Sequence, residues 1–212
     1  RLWDYQWMWY RCEDTYQIDF AARSLGKSVG IQMRAFAFPF NYSGAEMLIT
    51  APELNHLRPI TDKIEHLILT HRLTREMLPR QRGNGINHQP QFQCHFINNS
   101  RIISRLPQRD GKGVKGMHPL VIEADEMQDF PENGWIELIE TMKHYVPGAQ
   151  WRCHGVSKGV RDRYYLFTTV TETTAAGGAT AARWRCRCSS TCATPCTRSV
   201  SSTWPDTGSR RS

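Results

Sequence analysis

A strand-like run, a short loop and a helix-like run follow one another around Gly26-Lys27-Ser28, and no other part of the chain restricts the fold as much. Tyr16, Ile18 and Phe20 recur at period two within residues 15–21, which predicts a strand. The loop reads Phe20-Ala21-Ala22-Arg23-Ser24-Leu25-Gly26-Lys27-Ser28. Val29 to Phe38 holds no proline and stops before Pro39, which predicts a helix over those residues. This is the order that a phosphate-binding loop needs. Glycine permits the tight turn, backbone amides and the helix N-terminus face anionic oxygens, lysine reaches the β- and γ-phosphates, and the hydroxyl ligates Mg2+. Ala22 to Ser28 are therefore candidate contacts to a nucleoside triphosphate. The complete pattern carries a glycine where this chain has Ala21, and a bare Gly-Lys-Ser also fits an ordinary surface turn. The flanking elements favour the phosphate reading.

Leu120-Val121-Ile122-Glu123-Ala124-Asp125-Glu126 is an apolar strand ending in adjacent carboxylates. Nucleotide hydrolases present acids this way, one toward Mg2+ and one toward the attacking water. Asp125 is the candidate metal ligand with Ser28, and Glu126 the candidate general base. Both would emerge at a strand's carboxyl end, where open α/β sheets bind ligands. The bland alternative is an acidic helix N-terminus. Glu123 is out of place in an apolar run, and Asp129 competes with Asp125 for the metal role.

Between the two motifs, residues 45–51 predict a second buried strand ended by Pro52. Pro59 suits the first position of a helix in which Ile60, Ile64, Leu67, Ile68 and His71 share a face until Pro79. Residues 91–97 and 101–106 read as strands joined by the turn Asn98-Asn99-Ser100, and residues 80–88 as a solvated loop. Pro131 opens a further helix, with Trp135, Leu138, Ile139 and Met142 on one face and Pro147-Gly148 closing it. Residues 149–156 form a strand leading into the polar turn Ser157 to Asp162. A mainly parallel sheet flanked by helices, α/β in class, follows from this order.

From Thr171 to Ser212 there is no Leu, Ile, Phe, Tyr or Met, so the segment cannot build a core. Its six arginines against Glu172 and Asp206 carry +4 of the chain's net +7, which weakens the case for a basic nucleic-acid surface on residues 1–170. Cys186, Cys188, Cys192 and Cys196 have a metal-ligating chemistry but not a usual zinc spacing. A native disordered arm and translation from a shifted reading frame are the other readings, and the Ala, Arg, Thr, Ser and Cys mixture favours the last. No run approaches 18 apolar residues, and no leader precedes the first motif, so a soluble, intracellular protein is expected. The start at Arg1 is read as a missing amino end.

Taken in order, several segments resemble the ATPase domain of the large terminase subunit, the DNA-packaging motor of tailed bacteriophages. They are Asp4-Tyr5-Gln6, Arg23 to Ser28, Thr50-Ala51-Pro52, Phe96 to Ile102, Lys115-Gly116, Asp125-Glu126 and His154-Gly155-Val156-Ser157. The resemblance covers residues 1–170 and implies a P-loop NTPase fold of the RecA/ASCE type. It also implies ATP and Mg2+ as cofactors and double-stranded DNA as the substrate moved into a procapsid. Portal and small terminase subunit are the implied partners, a homo-oligomeric ring the implied assembly, and the host bacterial cytoplasm the implied location. By the same resemblance Gln6 is an adenine contact, Lys27 and Ser28 hold phosphate and Mg2+, and Arg23 stabilises γ-phosphate charge. Glu126 is then the base and Ser157 part of the coupling motif. The family's nuclease domain has no counterpart here, since the tail holds two acids only. A helicase-like ATPase and a non-catalytic nucleic-acid-binding module are the alternatives.

Overall fold

The computed structural model describes residues 3–20, 22, 24–80, 85–108, 112–142, 146–156 and 184–188, with side chains left aside at Phe20 and 184–188. In chain order the elements are α1 (Asp4–Tyr10), β1 (Tyr16–Phe20), α2 (Lys27–Asn41), β2 (Glu46–Thr50), α3 (Leu54–Thr70) and α4 (Arg72–Glu76). There follow β3 (Ile86–Asn87), β4 (Gln93–His95), β5 (Arg101–Arg105), β6 (Val121–Ala124), α5 (Glu132–Thr141), β7 (Gln150–Gly155) and β8 (Trp184–Cys188).

The strands form one sheet in the order β3-β4-β5-β2-β6-β7-β1-β8. Every pairing from β5 to β8 is parallel, and only the β3–β4 and β4–β5 pairings are antiparallel. Parallel strands need crossovers, and α2, α3 and α5 lie in those connections. A mostly parallel α/β sheet is what the alternation of apolar runs and helical stripes predicts.

Two apolar clusters fill the two sides. Met47, Ile49, Ile102 and Val121 pack under Ile31, Ala35 and Phe38 of α2 and Leu57, Ile60, Ile64 and Ile68 of α3. Leu48, Ile122, Ala124, Ile18, Trp151 and Cys153 point the other way, against Trp135 and Leu138 of α5 and Val114. The alternation along each strand divides these residues between the faces. Among the described residues no helix is long and apolar enough to cross a membrane.

Some boundaries differ from the sequence expectation. Both prolines read as helix limits lie inside helices: Pro39 in the last turn of α2 and Pro59 in the second turn of α3. Each removes one backbone hydrogen bond, a cost that apolar packing offsets when the proline is near an end. Tertiary packing also begins α3 five residues before Pro59 and breaks it at His71, whose ring lies 4.8 Å from that of Phe36. Helix α5 stops at Thr141, short of Pro147. Within the expected loop 80–88, Ile86–Asn87 pairs with β4. Strand β8 lies in the compositionally unusual tail and pairs parallel with β1, an element that the tail's composition does not predict.

Candidate functional site

Strand β1 delivers the chain to the phosphate-type loop, and Gly26 then starts α2 with its backbone left-handed at φ 74°. Ser24 is also left-handed at φ 64°, so the loop backbone curls around Leu25. Gly26 is the position that only glycine fills without strain, because a Cβ there would collide with Nε2 of Gln6. Lys27 is buried, and its ammonium donates to the carbonyl of Ala22 across the loop at 3.2 Å. That contact keeps the amine folded back over the loop.

Helix α1 forms one wall. Gln6 is buried, with Nε2 donating to the Gly26 carbonyl at 3.3 Å while its Oε1 accepts from the Trp3 amide at 2.9 Å. The Tyr5 hydroxyl donates to the Leu25 carbonyl at 2.8 Å. Both ends of the Gln6 amide are thus engaged, which fixes the side chain over the start of α2.

The acids arrive two strands away. Strand β7 lies between β1 and β6, so the loop and the carboxyl end of β6 are separated by one intervening strand, roughly 10 Å at ordinary strand spacing. The gap is closed by side chains. Ser28 Oγ donates to Asp125 Oδ2 at 3.2 Å, joining residues 97 positions apart. Oδ1 of Asp125 accepts from the Glu126 amide at 3.1 Å. Burial raises the Asp125 carboxyl above its ordinary range; the His154 charge opposes this and the Glu126 charge adds to it. Ser28 and Asp125 are hard oxygen donors, suited to Mg2+. Among the described residues no three His, Cys, Asp or Glu side chains gather as a metal cage. A Mg2+ held by one or two protein oxygens and completed by phosphate and water is the arrangement such a pair fits. Asp129, the competing acid, is exposed and accepts from Gln128 Nε2 at 3.1 Å, away from Ser28.

Glu126 is half-buried and left-handed at φ 51°, an uncommon backbone state for a residue with a side chain. Its carboxylate accepts a short hydrogen bond from Gln128 Nε2. The other end of that amide, Oε1, accepts from the Val156 amide just past β7 at 3.1 Å. Arg23 and Ser157 lie outside the described residues.

Beneath the site runs a buried ionic network on the face of the sheet that meets α2. Glu123 accepts from Arg34 Nε at 2.5 Å and Nη2 at 2.6 Å, and its Oε2 lies 2.8 Å from His154 Nε2. His154 Nδ1 lies 2.9 Å from Asp19 Oδ2, and Gln17 donates to Asp19 Oδ1 at 2.6 Å. Arg152 donates to Gln17, Gln150 and the carbonyls of Trp9 and Cys12. Burial alone would raise the Glu123 carboxyl, but the Arg34 charge and the hydrogen bonds from His154 and Arg34 outweigh it and hold the group at about 2. Burial would lower His154, yet its bonds to Asp19 and Glu123 leave it above its ordinary value.

The sequence marked Glu123 as anomalous without supplying its partners. Arg34 was legible only as a helix residue, although it falls on the same side of α2 as Ile31, Ala35 and Phe38, a stripe where an arginine requires an acid. Gln128 gave no signal beyond its nearness to Glu126.

Sequence comparison finds no matching family model and no matching curated protein. Comparison of structures does find similar folds. The Thermus phage P74-26 large terminase ATPase domain superposes with a TM-score of 0.63 at 17% identity, over 82% of this chain and 72% of that one. An arginine-to-alanine mutant of that domain matches equally. The HK97 bacteriophage large terminase superposes with a TM-score of 0.56 at 14% identity, over 73% of this chain and 33% of that one. With the phosphate-type loop after β1, the acids after β6 and β7 between the two strands, the chain has the fold of a phage large terminase ATPase domain.

Proposed function

We propose that this chain is the ATP-hydrolysing motor domain of a viral terminase large subunit, which drives double-stranded DNA into a procapsid. The observation that carries the reading is the Ser28–Asp125 contact at 3.2 Å, which brings the end of the phosphate-type loop to the acid of a strand two places away. A fold likeness alone leaves chemistry open, whereas this pairing is what a nucleotide-bound Mg2+ requires of its protein.

In this reading Ala22 to Ser28 cradle the phosphates of ATP, and Gln6 faces the adenine from α1. Lys27 exchanges its Ala22 carbonyl for phosphate oxygens. Ser28 and Asp125 hold Mg2+, which when bound neutralises developing phosphate charge. Glu126 accepts a proton from, and orients, the attacking water. Arg23 stabilises charge on the transferred γ-phosphoryl group, and Ser157 passes the change of state onward. The partners are DNA, the portal and the small terminase subunit. The working assembly is a homo-oligomeric ring in the host bacterial cytoplasm, docked transiently on the procapsid. DNA cleavage is not expected of these 212 residues.

The test is Mg2+-dependent ATP hydrolysis by the chain and three variants. Glu126→Gln should lower kcat by about 10²–10⁴. Lys27→Ala should abolish turnover, and Arg23→Ala should lower it on the order of 10³. Hydrolysis indifferent to both Lys27→Ala and Glu126→Gln would sink the reading, and normal turnover in Arg23→Ala alone would remove only the arginine's role.

A further inference from the structure

Gln128 ties together the segments that leave the carboxyl ends of two neighbouring strands, β6 and β7. Its Nε2 donates to the Glu126 carboxylate, and its Oε1 accepts from the Val156 amide at 3.1 Å. Both ends of one planar amide are thus engaged, so neither partner can move by an ångström without losing a bond or dragging the other. Val156 directly follows Gly155, whose register partner is Phe20, the last residue of β1 before the phosphate-type loop. A displacement at the start of that loop therefore has a short covalent and hydrogen-bonded route to the Glu126 side chain. The backbone around the base supports the same arrangement. Glu126 is held left-handed by the short 3-10 turn Met127–Asp129, which starts at it and ends with the bond from the Asp129 amide to the Glu126 carbonyl at 2.9 Å. Met127 in that turn is buried under the α5 side of the sheet, fixing where Gln128 stands. The glutamine is half-buried, which shields its two bonds from competing water.

We propose that Gln128 is a positioning residue that clasps the Glu126 carboxylate to the carboxyl end of β7, so that the base is aimed only when the backbone at Val156 is in place. The inference rests on the reading of Glu126 as the base of an ATPase. Gln128 acts by holding the Glu126 carboxylate and is assigned no chemical step of its own.

Replacing Gln128 with methionine keeps length and volume and removes the bonds to Glu126 and Val156 together with the exposed one to Asp129. In the full chain, Gln128→Met should lower kcat for ATP about tenfold, the scale of one lost positioning hydrogen bond. KM for ATP and the thermal midpoint should stay at their starting values, and the Val156 amide should exchange with solvent about tenfold faster. Gln128→Asn, which keeps the amide but is one methylene too short to reach both partners, should show the same kcat loss and serves if the methionine variant fails to fold. In a Glu126→Gln background, Gln128→Met should produce no further loss. Unchanged kcat in both Gln128 variants, or an undiminished tenfold loss in the Glu126→Gln background, overturns the clasp while leaving the ATPase reading intact. A parent chain without Lys27-dependent hydrolysis overturns the ATPase reading, and the clasp with it.

Discussion

His154 stands between two carboxylates, Asp19 on one ring nitrogen and Glu123 on the other, with Arg34 Nη2 at 2.9 Å and no water-exposed edge. The titration of this group and of Glu123 links the core to pH. Glu123 is held at about 2, below its ordinary 4.5, so its contribution to stability is complete above 4.5 and drains away as pH falls toward 2. His154 is raised above its ordinary 6.5, so its contribution is complete below 6.5 and is lost as pH rises through the raised value. Both contributions are whole between about 4.5 and 6.5, and urea midpoints measured across pH should be highest there. His154→Asn should flatten the alkaline fall specifically; an unchanged alkaline limb in that variant would assign the fall to other groups. Arg34→Met strands the Glu123 charge, which a buried pair makes expensive, so urea unfolding should show a loss of about 3–5 kcal/mol. A loss below about 1 kcal/mol would mean that Arg152 and His154 compensate for it.

The elements nearest the phosphate-type loop show why a substitution in one is felt in another. Gly26 is at once the left-handed start of α2 and the floor beneath Gln6 of α1. Gly26→Ala should therefore combine a backbone cost of about 1–3 kcal/mol with displacement of the Gln6 side chain. Fluorescent-nucleotide titration should register this as at least about tenfold weaker binding, and wild-type affinity would separate α1 from the nucleotide. Much of this level was legible in the residues. The period-two run before the loop, the apolar run before Pro52 and the apolar run before Asp125 became β1, β2 and β6. The second face of β1 was not legible: Gln17 and Asp19 alternate with its apolar residues, which reads as a solvated side, yet both are fully buried in the network with Arg152 and His154. Alternation reports polarity, and partners on distant strands decide whether a polar side chain meets water or an ion pair. Pro39 and Pro59 misled for a related reason, since local helix rules omit the tertiary packing that carries α2 and α3 through them. The two-residue β3 and the seven-residue α1 are too short for any periodicity to reveal.

At the level of the whole molecule, the loop and the acidic strand belong to one continuous sheet, while the tail touches it through β8. A chain ending at residue 170 would lose β8 and leave β1 at the sheet's edge, with the pairing of β1 to β7 preserved. Since none of the residues placed in the ATP site lies after Ser157, truncation at 170 should leave nucleotide affinity within about threefold of the full chain, measured by the same titration. Affinity lost on truncation would make the tail part of the working domain and count against its origin in a shifted frame. The strand order itself could be anticipated only as a class, because which parallel strands become neighbours is settled by crossovers rather than by local pattern. The underside of α2 has one more mechanical effect. Apolar surface resists separation but is indifferent to small slips along it, whereas a two-pronged guanidinium grip such as Arg34 on Glu123 has one seat and no neighbouring one. The helix that begins with Lys27 and Ser28 is thereby indexed to the strand that leads into Asp125 and Glu126.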